Sequence, residues 1–190
     1  MTYPIAPPVQ GQPVSSSLFG QKVIDAITDM DLRIALREAQ LELPASVTAT
    51  AGGAGTNTCA GTANVWNNLP TNALTASITN PSDIFNLRCL VFQGAWLDSD
   101  TGTIRFGINI TGGVVSDPNP GTNSAAGWGM VPHAGVTGSV TQHSGAFQLL
   151  IPAGAAAVNF TGQYMRSSAS GTQQVNYATL EVVPWRYELP

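Results

Sequence analysis

The chain has 190 residues, of which 43% are hydrophobic and only 9% charged, with a formal net charge of −4. A globular protein normally carries about 25% charged residues, so this surface is poorly equipped to keep a free monomer apart from its copies. No Lys/Arg cluster exists to neutralise phosphates, which excludes a nucleic-acid partner, and no run of eighteen apolar residues is present to span a membrane.

The charge is sorted along the chain. Residues 1–17 carry none, residues 18–43 carry eight of the eighteen charged side chains, and residues 44–190 carry ten. This partition divides the chain into an extended anchoring arm at 1–17, an amphipathic oligomerisation helix at 18–43 and a β domain at 44–190. Length supports one compact domain with an extension.

The arm reads MTYPIAPPVQGQPVSSS. Prolines at 4, 7, 8 and 13 block helix and push the residues before them to extended geometry. Tyr3, Ile5 and Val9 are its apolar side chains, more than a bare linker needs, and mark it as an arm that lies on a partner. It has neither the positive start nor the apolar core of a signal peptide.

Three serines at 15–17 offer N-caps for a helix over 18–41. Val23, Ile27, Met30, Ile34, Arg37 and Leu41 follow one another at steps of 4, 3, 4, 3 and 4, which is a heptad seam. Ile24, Leu32, Ala35, Leu36 and Ala39 widen the stripe. An amphipathic helix usually packs on its own domain, but this seam reads as self-association. Isoleucines at 27 and 34 are taken to point to three strands, and Pro44 stops the helix.

Beyond Pro44 the helical period disappears. The run at 51–55, AGGAG, reads as a connector. Runs at 73–79, 84–97, 102–110, 145–151, 156–164 and 174–187 read as strands bounded by turn clusters. Ile104, Phe106, Ile108 and Ile110 alternate with Arg105, Gly107 and Asn109, as a half-buried strand does. Strands at this spacing without helices between them predict a mainly β fold, an antiparallel jelly-roll sandwich preceded by the arm and one α-helix.

Catalytic chemistry finds no support. His133 and His143 are the only histidines and neither lies at a recognised spacing from a nucleophile or metal ligand. The expectation is no catalytic residue, no metal, no cofactor and no enzyme. The segment 98–102, DSDTG, has oxygen ligands at alternate positions but lacks the later Glu of a calcium loop; it reads as a hairpin turn before Ile104. Cys59 and Cys89 are too few for a disulfide framework and read as free thiols, the latter inside an apolar strand. Trp128, between two glycines, could serve as a stacking platform for a sugar ring, although a core or interface anchor is the commoner use of such a residue. The sequons at Asn109 and Asn159 carry no weight without a secretion signal.

Three segments carry a resemblance: IFNLRCLVFQGAW at 84–96, DSDTGTIRF at 98–106 and YATLEVVPWRY at 177–187. They resemble structural proteins of tailed bacteriophages, especially those of actinobacterial hosts. The opening, with Tyr3-Pro4, Gly11 to Val14, Leu18 to Gly20 and Val23 to Ile27, is similar to the attachment segment of such proteins. The C-terminal part looks like the trimeric jelly roll of complement globular heads and tumour necrosis factor. The resemblance rests on strand rhythm and a few aromatic and proline positions. It implies a non-enzymatic virion protein: a capsid decoration, head fibre or minor tail protein, homotrimeric and bound to other capsid or tail proteins. The alternative is a carbohydrate-binding receptor module of a tail fibre or tip, with a host cell-surface glycan as partner.

Overall fold

The computed structural model describes residues 16–52, 58–71, 73–112, 128–131 and 139–190. It divides into two compact units, Met1–Leu41 and Glu42–Pro190. Tyr3, Ile5 and Val9 lie outside the described residues, as does His133.

The first unit contains one helix, α1 (Ser16–Leu41). It begins two residues before the expected start, so Ser16 and Ser17 are inside it. No acidic residue stands in its first turn and no basic residue in its last, so the macrodipole gains nothing from side-chain charge. Its polar side is laced at i,i+4: Gln21 Nε2 donates to Asp25 Oδ1 at 2.8 Å, and Arg33 lies 3.8 Å from Asp29. Each such exposed pair is worth only about 0.2–0.5 kcal/mol.

The second unit is built from β1 (Val47–Gly52), β2 (Trp66–Asn68), β3 (Thr75–Ile78), β4 (Asn86–Ser99), β5 (Ile104–Thr111), β6 (Trp128–Val131), β7 (Ser139–Ile151), β8 (Val158–Arg166) and β9 (Gln173–Glu188). They form two antiparallel sheets. One has the order β1-β9-β4-β7; in the other, β2 and β3 both pair with β8, which continues to β5 and β6. The strands β2 and β3 are two pieces of one strand lying along β8, at residues 163–165 and 158–161. Counted so, the first strand pairs with the last, the second with the second-last, β4 with β7, and β5 with β6. That nesting is one long hairpin rolled on itself, the connectivity of a jelly roll. The mainly β sandwich behind a single helix is the expected fold class.

The core lies between the sheets. Leu87, Cys89, Val91 and Leu97 of β4 face Ile104, Ile108, Val158 and Phe160 of the other sheet, all fully buried. Burying side chains of this size stabilises by about 1.5–3 kcal/mol each. Strand β5 follows its expected alternation, with Ile104, Phe106, Ile108 and Ile110 inward and Arg105 exposed.

Two sequence readings are corrected. The segment 98–106 is not a hairpin: among the described residues β4 pairs with β7 and β9, and β5 with β6 and β8. The DSDTG turn instead carries the chain from one sheet to the other. Ser99 Oγ donates to the carbonyl oxygens of Thr101 and Gly102 at 3.0 and 3.2 Å, and Gly102 takes a φ of 73°, which a glycine adopts without a steric penalty. Likewise, the start of the 51–55 connector is strand: Ala51, 1% exposed, pairs with Ala178, and Gly52 with Tyr177.

Two buried polar side chains, Asn80 and Arg166, hydrogen-bond to backbone carbonyls. Asn80, 4% exposed, donates through Nδ2 to the carbonyls of Phe85, Ile151 and Pro152 at 2.8–3.1 Å and accepts from Ser82 N at 3.0 Å. It thereby fastens the loop before β4 to the end of β7. Arg166, equally buried, donates from Nη1 to the Cys59 carbonyl at 2.7 Å.

Candidate functional site

Two surfaces can do something chemically, one on each unit. On α1, the predicted association residues Val23, Ile27, Met30, Ile34 and Leu41 are all exposed, between 41% and 88%, and Ile24 stands beside them at 57%. At 3.6 residues per turn, their 4–3 spacing keeps them on one stripe of the helix. A helix of 26 residues draws most of its stability from packing of its apolar face. Ile27 and Ile34 are seven residues apart and so share one heptad position, with Val23, Met30 and Arg37 at the other. This spacing does not choose three strands over two.

The second surface was not anticipated. Strand β4 lies mid-sheet between β9 and β7. Its residues Phe92, Gly94 and Trp96 alternate with the buried Val91, Ala95 and Leu97, so they share the outer face. Register places Glu181, Thr179 and Tyr177 opposite them on β9, and Ala146, Ser144 and Gln142 opposite them on β7. Gly94 stands at the centre of this three-by-three array. Without a side chain in the middle, the array leaves a half-open hollow of about 490 Å³, within the volume range of small-ligand sites.

The walls of the hollow are aromatic. Phe92, Trp96 and Tyr177 are 43%, 46% and 40% exposed. The Trp96 and Tyr177 rings meet at 6.1 Å between centroids and 57° between planes, a tilted contact that fixes both rings while leaving faces open. Thr48 of β1 borders the same space, and among the described residues Glu181 is the only charged side chain lining it.

Of the other sequence candidates, Trp128 opens β6 opposite Ile108, but its side chain lies outside the described residues. His143 pairs with Ala95 through the backbone of β7; its side chain is also outside them. Among the described residues, no group of three His, Cys, Asp or Glu is placed to hold a metal ion. Cys59 and Cys89 are buried and not joined in a disulfide. Burial pushes both thiols up to about 12, so they stay protonated at neutral pH and make poor nucleophiles. Glu188 is held below the ordinary carboxylate range by its hydrogen bonds and attraction to Arg88, helped by Arg186. The Arg88 fork is bidentate, at 2.7 and 2.8 Å, and serves to close the strand ends.

No protein-family model and no curated protein sequence matches the chain. Among solved structures, a chain in the structure of infectious bursal disease virus Gx strain is similar to it at 14% identity and a TM-score of 0.35. The similarity covers 76% of this chain and 35% of that one, and at this level it carries no argument about function.

Proposed function

We propose that the chain is a non-enzymatic structural protein of a bacteriophage virion. Residues 1–43 attach it and bring copies together, and the jelly-roll domain stands outward as a trimer, as a capsid decoration, head fibre or minor tail protein. The observation that carries this reading is the open apolar seam of α1, five predicted residues and Ile24 exposed on one helix. Exposed apolar stripes of this kind mark contacts with another chain, and copies of the same helix offer a matching seam.

Two further features support it. The β domain's ten charges in 147 residues suit a surface shared among copies or set against a particle. Jelly rolls also recur in viral capsid and lectin domains, which is an analogy of fold and not of site. Clustering three domains would add binding strength through linkage alone, without any new contact.

The test is immunogold electron microscopy of density-purified particles of the encoding virus, with antibody raised against residues 44–190. Gold on particle surfaces, with quantitative mass spectrometry giving copy numbers in multiples of three, is the expected result. A chain found only in the lysate and never on particles contradicts the proposal.

A further inference from the structure

We infer that the hollow around Gly94 is a binding site for an uncharged oligosaccharide. The inference goes beyond the structural role and holds wherever the protein is mounted. A pyranose ring presents a C–H face and a rim of hydroxyl groups, so its site needs aromatic faces beside hydrogen-bonding side chains. The hollow supplies both at adjacent register positions. Trp96 and Tyr177 form one wall and Phe92 the other, while Gln142, Ser144, Thr179 and Glu181 stand between and beside them with amide, hydroxyl and carboxylate groups.

The occupant can be narrowed by shape and charge. A second copy of the sheet would favour a flat, continuous apolar patch with charge excluded from its centre. Here the centre is an absence of side chain at Gly94, and the aromatic groups are held apart across it. Sheet strands space alternate outward residues by roughly 6.5–7 Å, so Phe92 and Trp96 are about 13 Å apart along β4, a span for more than one ring. Among the described residues the single lining charge is the Glu181 carboxylate, which accepts from sugar hydroxyls and repels anionic glycans. Among the described residues no lining side chain is basic, which disfavours phosphate and carboxylate ligands.

The experiment is a glycan array of neutral hexose, pentose and N-acetylhexosamine oligosaccharides alongside sialylated and phosphorylated ones, probed with the full chain. The best neutral binder is then titrated by tryptophan fluorescence. Trp96→Ala should weaken binding at least tenfold. Gly94→Val, which fills the hollow from a regular strand position and leaves every aromatic in place, should weaken it comparably. Trp185→Ala, an exposed tryptophan outside the hollow, should leave it unchanged, with circular dichroism verifying that all three variants fold. Three outcomes overturn the inference: binding to no neutral glycan, binding unaffected by both groove variants, or a Trp96→Ala that lowers the oligomer mass instead of sugar affinity. The last would assign the face to contact between copies.

Discussion

Gly162 lies directly beneath the side chain of Leu74. A Cβ built on Gly162 would come within 2.8 Å of Leu74 Cβ and 2.9 Å of its Cδ2, and the Gly162 N–H donates to the Leu74 carbonyl at 2.8 Å. This contact explains why the second strand of the jelly roll is broken. Pro70 removes a ladder donor between β2 and β3, and Leu74, 0% exposed, drops into the gap that Gly162 leaves in β8.

Gly162→Ala is accordingly predicted to cost about 1–3 kcal/mol by overpacking, and Leu74→Ala about 2–5 kcal/mol by cavity formation. The two residues touch, so the losses should not add. Denaturant unfolding of the double variant should show less destabilisation than the sum, because the alanine at 162 partly fills the space that Leu74 vacates.

Glu188 predicts a pH dependence. Its folded carboxyl titrates below 4.5, chiefly through the hydrogen bond from Arg88. A depressed acid contributes stability that is fully present above the unfolded value and is lost as pH falls through the folded one. Thermal melts should therefore show the wild type losing stability as the pH falls below about 4.5, the ordinary value from which the carboxyl is lowered. Glu188→Gln should be less stable at pH 7 by about 1–3 kcal/mol, since Arg88 then lacks its charged partner, and the gap should narrow as the pH is lowered.

How much of this was legible in the sequence depended on whether the signal was local. The helix and its exposed apolar stripe were, because Val23 to Leu41 repeat within one element. Strand β5 was, because its buried positions are isoleucine and phenylalanine while Arg105 and Asn109 intervene. Strand β1 was hidden by its Ala, Thr and Gly composition, which carries little hydrophobic contrast. In β4 both faces are apolar, since Leu90, Phe92 and Trp96 stand opposite Val91 and Leu97, so alternation gave no inward side. The groove was not readable at all: Gly94, Thr179 and Ser144 become neighbours only through the register of three strands far apart in sequence.

The buried thiols give a further expectation. Cys59 and Cys89, both raised to about 12 by burial, should resist a thiol reagent such as Ellman's in the folded protein at pH 8. Two equivalents should react once the chain is unfolded in guanidinium. Fewer than two equivalents without a reductant would indicate that the cysteines pair.

The central claim is that the helix seam joins copies of this chain, and multi-angle light scattering of the full-length protein tests it most directly. Wild-type protein should elute at a multiple of its 19.7 kDa chain mass, with three copies expected. Ile27→Asp combined with Ile34→Asp should reduce it to one copy while the β-sheet signal in circular dichroism persists. A wild-type monomer, or a double variant that keeps the wild-type mass, would contradict the account.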